Sequence, residues 1–491
     1  MGARSAKFKK SSVAFGLEID MVQYDIFINY LSDMNMEGFP LPSAEQNRET
    51  IEKKRLDIPM VDITMKECEP RFKRKETAEQ LRAFLDEYFA EAIKNTEIYS
   101  SDTFGASFPY AVVRLSELAK ALYEKLGSPK NITGNELGVP SASPEEAVED
   151  ADISFAKGRP RKEFIFGTMF SIGSAHAFHW VEHGIDQIAK KLPGALNALS
   201  RGEEPEDIEI YGMGNPAGEL GAVSEEFLDK MGDKPFEYTG ELYAEFLNTL
   251  SKNEENKESK PVLRLWGVSM GASMAATTAE KLIKEGKGSQ SFPDAFKRNI
   301  PYVSVNMQAP VGASGSKFQK WQIPLGFAAE IAYQLASNQY GREVGRGEGI
   351  FMETIKSELK EKGIEPRLGE EDVQNKSRVI SKLLDELRNG IPIAEGLKTN
   401  EVIGIYDPLM YSGEFKLAAE QREWEEAGKH SLGESIVPSE PASVRQPADY
   451  GAAKENRRRF AINQTHTPAV VRENYFKRLI RAAEAMEKLK K

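Results

Sequence analysis

From residue 163 onward the chain alternates short apolar runs with amphipathic helical stretches, and that alternation restricts its fold more than any other feature. The runs are EFIFGTMF (163–170), DIEIYG (207–212), PVLRLWG (261–267), PYVSVNMQAP (301–310), NEVIGIYDP (400–408) and RRFAINQT (458–465). Helical patterns fall between them at 174–191, 239–250 and 271–285, and a last one closes the chain at 470–488. Strands joined through a helix pair in parallel, and a parallel sheet needs cover on both faces. The sequence therefore predicts an α/β fold built on a mostly parallel sheet flanked by helices.

Two segments stand outside the alternation. Between the fourth and fifth runs, residues 313–395 hold three helix-like pieces, FQKWQIPLGFAAEIAYQLA, GIFMETIKSELKEKG and NKSRVISKLLDELRNG. An insertion of that length beside the end of a sheet predicts a helical lid. Trp321, Phe327 and Ile331 in its first piece are candidate walls of a substrate pocket, against the plainer reading that they pack the lid on itself. Ahead of the alternation, residues 1–160 read as a mainly helical N-terminal extension, with amphipathic helices at 77–95 and 108–126. A connection rich in Pro, Gly, Ser and acids follows, from Ser128 to about Lys162, and LDIPMVDITM (56–65) is a candidate edge strand. The division is then 1–160 for the extension, 161–312 with 396–491 for the core, and 313–395 for the lid.

Composition excludes several functions. A net charge of -11 removes the broad basic face that nonspecific nucleic-acid binding needs. No apolar run approaches the eighteen or so residues of a membrane span, which predicts a soluble chain. Cys68 is the single cysteine, so neither an intrachain disulfide nor a cysteine-built zinc site can form. Acidic residues in SSVAFGLEIDM occupy the place where a secretory signal needs apolar ones, and a cytoplasmic location is expected. The chain lacks a GxxxxGK[ST] phosphate loop, GMGNPAG (212–218) lacks GxGxxG spacing and reads as a loop after the second run, beside the glycine-flanked Ser269, and no cofactor is expected.

The chemistry is concentrated in LRLWGVSMGASMAAT (263–277), where Ser269 stands between Gly267 and Gly271. The pentapeptide GxSxG alone is weak and admits a plain turn serine. Its context is the stronger signal, because an apolar strand precedes it and a good helix former follows. A serine on so sharp a turn needs glycines on both sides, where the chain passes too close for a Cβ. Its hydroxyl also needs a base, most often a histidine oriented by a carboxylate. Of the five histidines, His466 follows the last strand, whereas His176, His179 and His183 lie on a predicted helix and His430 in a polar loop. Asp407 follows the fifth strand, giving the order Ser, Asp, His.

GVSMG, IYDP and THTP, in this order among these strands and helices, resemble the α/β-hydrolase superfamily over about residues 160–490. The resemblance implies Ser269 as nucleophile, His466 as general base and acid, and Asp407 as the orienting carboxylate, with Asp449 the alternative acid. It also implies an oxyanion hole from the backbone N–H of Met270 and from Phe170 or Ser171 in the loop after the first parallel strand. In that loop GTMFSIGSAHAF lacks the HG dipeptide common in the superfamily. The expected activity is hydrolysis of an ester, thioester or small amide through an acyl-enzyme, with acyl transfer open through the same intermediate. The expected partner is a small-molecule acyl substrate, and self-association is left open.

Two other readings compete. A catalytically silent binding or scaffold protein would keep the same fold. HWVEH places His179 and His183 four apart with Glu182 beside them, a zinc-peptidase pattern for which Glu258 could serve as a downstream ligand.

Overall fold

A computed structural model describes residues 95–127, 161–166, 190–252 apart from 219, 261–283, 302–308, 360–389 apart from 366 and 368, 399–404 and 457–461. It also describes single positions between 80 and 92 and at 188, 391, 482, 485 and 486. All six expected strands are present: β3 Arg161–Phe166, β4 Ile208–Met213, β6 Val262–Val268, β7 Tyr302–Gln308, β8 Thr399–Gly404 and β9 Arg457–Ala461. With β1 Glu97–Ser101, β2 Ala106–Arg114 and the two-residue β5 Ala222–Val223, they form one sheet in the order β1-β2-β4-β3-β6-β7-β8-β9, β5 pairing with β2. From β4 to β9 every pairing is parallel, while β2 runs antiparallel to β1, β4 and β5.

Residues 164–166 of β3 and most of β6 are apolar because both of their faces are covered, while the buried Arg161, Lys162, Glu163 and Arg264 are held in ion pairs. Phe164, Phe166, Leu263 and Leu265 point into one layer, with α2 Glu225–Met231, α3 Pro235–Lys252, α4 Met270–Ile283 and α5 Glu370–Asn389. Ile165 and Trp266 point into the other, with α1 Leu115–Lys125 and helical residues near 80–92, 188–200 and 482–486. The result is a mixed α/β architecture with a sheet flanked by helices. Among the described residues no helix is long and apolar enough to cross a membrane.

Two expectations need correction. The helix expected over 108–126 is strand β2 followed by helix α1, and residues 97–114 supply two strands of the sheet instead of a helical extension ahead of it. Val112, Leu115, Ala119 and Leu122 do share helical spacing, but Phe108, Ala111 and Val113 are buried by a strand pairing that periodicity cannot see. Of the helix expected over 174–191, the described residues begin at 188, and the helix there runs on to residue 200, past Pro193 and Gly194, with Ile188, Leu192, Ala195 and Leu196 on one buried stripe. The candidate edge strand at 56–65 and residues 313–359 of the expected lid lie outside the described residues. Helix α5, from that insertion, packs on α2 and α3: Lys382 donates to the Gly232 carbonyl at 3.0 Å, and the N–H of Phe236 donates to Glu386 at 2.7 Å.

Charge at the start of β3 is paired within the sheet. Lys162 lies 2.5 Å from Glu209 on β4, which also accepts from the Tyr211 hydroxyl at 2.7 Å and from Arg114 at 3.2 Å. Burial alone would raise the Glu209 pKa, yet Lys162, Tyr211 and Arg114 together hold it below the ordinary glutamate value of 4.5. A depressed folded-state pKa adds stability that is present above the unfolded value and lost as pH falls through the folded one. Glu209→Gln is therefore expected to cost about 2 kcal/mol at pH 7. In urea titrations across the acid range, the gap from wild type should close as pH drops below 4.5; a gap independent of pH would show that the charge is not what stabilises.

Candidate active site

Strand β6 sits between β3 and β7, in register from Val262 to Gly267 with β3 and to Val268 with β7. The chain leaves β3 toward β4 on one side and leaves β6 toward β7 on the other. Where neighbouring parallel strands send their connections in opposite directions, a crevice opens beyond their carboxyl ends, and ligands bind there in open α/β sheets. Ser269 is the first residue past β6 at that switch point.

One residue separates the strand from the helix. Ser269 has φ 53°, the one positive φ of a non-glycine residue among the described residues. That conformation costs an L-residue on the order of 1–3 kcal/mol, and such strain collects at functional sites. The packing enforces it: a Cβ on Gly267 would run into the Gly271 carbonyl and the Ala272 backbone, and the Ala272 N–H closes onto the Ser269 carbonyl at 3.1 Å. Ala272, Ala275 and Ala276 keep the start of α4 slim and buried. Ser269 is buried, at 8% exposure.

Met270 opens α4. The first N–H groups of a helix lack intrahelical acceptors, and the helix dipole adds partial positive charge there. A strained serine beside such amides has the elements for attack on a carbonyl and for holding the oxyanion that results.

Of the residues singled out by sequence, Ser269 and Met270 are described and adjacent at this edge. Asp407, Asp449, His466, Phe170, Ser171, Trp321, Phe327 and Ile331 lie outside the described residues, as do His176, His179, Glu182, His183, Glu258 and His430. The strands that lead to two of them are described: β8 ends at Gly404, three residues before Asp407, and β9 ends at Ala461, five before His466. Both run parallel to β6, so the chain passes beyond the sheet on the Ser269 edge each time. The loop expected near the catalytic edge follows β4, one strand beyond β3. There Asn215 accepts from the Ala217 N–H at 2.8 Å, and the Gly214 N–H donates to the Pro109 carbonyl at 2.7 Å.

No protein-family profile and no curated protein matches the chain in sequence. Among solved structures the chain is similar to acetyl xylan esterase 1 from Thermoanaerobacterium sp. JW/SL YS485, at 10% identity and a TM-score of 0.25, over 80% of this chain and 93% of the esterase. A likeness of that size carries no weight for fold or chemistry, which rest on the strand order and the turn at Ser269.

Proposed function

We propose that the chain is a serine hydrolase of the α/β-hydrolase type that cleaves an ester, thioester or small amide through an acyl-enzyme on Ser269. The observation that carries this reading is the backbone of Ser269: a positive φ forced on a non-glycine residue, between a central parallel strand and a helix, at the switch point of the sheet. A turn with only a connecting role would place glycine there and avoid the strain.

In this reading the Ser269 hydroxyl attacks the acyl carbon as His466 takes its proton. The Met270 N–H, with a second donor at Phe170 or Ser171, holds the oxyanion. Collapse expels the alcohol, thiol or amine, which takes the proton from His466, and water repeats the sequence to release the acid. Asp407 keeps the imidazole in the required tautomer. Acyl transfer would differ only in the second acceptor. Trp321, Phe327 and Ile331 are the proposed acyl-pocket walls in the lid proposed within 313–395, and the proposed core of 161–312 with 396–491 is joined by strands β1 and β2 and by helix α5.

The test is covalent labelling. A fluorophosphonate is expected to add one phosphonyl group per chain, read by intact mass and located on the peptide holding Ser269. A folded, monodisperse protein that takes up no label would favour the scaffold reading, and stoichiometric zinc with chelator-sensitive activity would favour the peptidase.

A further inference from the structure

We propose that Tyr243 is a positioning residue for this site, a role that rests on the serine-hydrolase reading above. It lies on α3, three residues after Gly240. At Gly240 the helix meets α4 so closely that a Cβ would stand 3.0 Å from Thr277 Cγ2 and 3.3 Å from the Thr277 carbonyl carbon. Helix α4 begins directly after Ser269, so α3 is seated on the helix that carries the nucleophile. One turn on, the Tyr243 side chain reaches the ends of the two strands beyond β6. Its hydroxyl donates to the Gly214 carbonyl at 2.7 Å, and Gly214 is the first residue past β4. Its ring stands edge-on to Phe166, with centroids 5.0 Å apart at 87°. Phe166 ends β3 and is the register partner of Gly267. A single side chain thus braces the rims of β3 and β4 against the helix pair behind Ser269.

The hydroxyl is the informative part. Tyr243 is 1% exposed, and a buried phenol is unfavourable unless it finds a partner, so phenylalanine would fill this space at less cost if filling were all that mattered. Burial holds the phenol well above the ordinary tyrosine range, so it remains a donor at any working pH. Removing it leaves the Gly214 carbonyl without its donor and frees the β4 loop to shift. A reacting group displaced by about 1 Å loses on the order of a hundredfold in rate, and a partial shift about tenfold.

Tyr243→Phe keeps the ring and tests this directly, with Ser251→Ala as the matched control. Ser251 is also 1% exposed on α3 and donates to the Asn248 carbonyl at 2.7 Å, at the end of the helix away from this rim. With p-nitrophenyl acetate as substrate, Tyr243→Phe is expected to lower kcat about tenfold with KM within about twofold, and to slow fluorophosphonate labelling to match. Ser251→Ala is expected to leave both within about twofold while losing a similar amount of thermal stability. A Tyr243→Phe kcat equal to wild type, or equal kcat losses in the two variants, would overturn the positioning role alone. A wild type that neither turns over the ester nor takes the label would overturn the serine reading and this role together.

Discussion

Ser269→Ala is expected to bring turnover of a short-chain activated ester down to background, a loss that approaches a million-fold where a nucleophilic serine is removed from an intact site. The variant should also take up no fluorophosphonate. Stability offers a second, independent readout, because the backbone at Ser269 is strained whatever its side chain does. Alanine keeps the Cβ and with it the unfavourable positive φ. Glycine removes both, so Ser269→Gly should be inactive yet more stable than Ser269→Ala by about 1 kcal/mol in urea titration. Strain retained only to present a hydroxyl predicts this opposition of activity and stability. Full activity in Ser269→Ala would end the nucleophile assignment. A glycine variant no more stable than the alanine variant would remove the strain argument beneath it.

The six strands of the parallel part were legible because strands covered on both faces are mostly apolar, leaving runs such as EFIFGTMF and PVLRLWG in which a single charged residue stands among the apolar ones. Strands β1 and β2 were not. EIYSS lies at the sheet edge with most of its residues partly exposed, so its pattern carries little signal, and ASFPYAVVR continues directly into a helix whose apolar stripe, read by spacing, starts at Val112 inside the strand. The signal that could have separated them is the turn SDTFG, ending at Gly105 with φ 62°, which closes the β1–β2 hairpin. The turn at Ser269 was legible for the opposite reason. Gly267 is required by contact with the Gly271 and Ala272 backbones, a steric demand that writes itself into the sequence as glycine. Tyr243 left no such mark: in GELYAEFLN it is one apolar position on a helix, and where its hydroxyl goes depends on the Gly214 carbonyl of a different segment.

The second large effect concerns the carboxylate. Asp407→Asn is expected to lower kcat by about ten-thousandfold with little change in KM, while Asp449→Asn leaves kcat near wild type. The direction of the strands supports this choice. Strand β8 is two places from β6, about 10 Å away at the usual spacing between strands, and the three residues from Gly404 to Asp407 can span about 10 Å. Strand β9 is three places away, about 14 Å, and the five residues from Ala461 to His466 can span about 17 Å. Either length of chain is enough to bring a side chain to the Ser269 edge, the edge at which β8 and β9 end. Asp449 precedes β9 by eight residues, and the chain enters that strand at Arg457, on the opposite edge. To serve as the acid it would have to sit beyond one edge while its chain turned back to start a strand at the other. Loss of activity in Asp449→Asn with Asp407→Asn unaffected would reverse the assignment, and equal, small losses in both would show that His466 is oriented by another group.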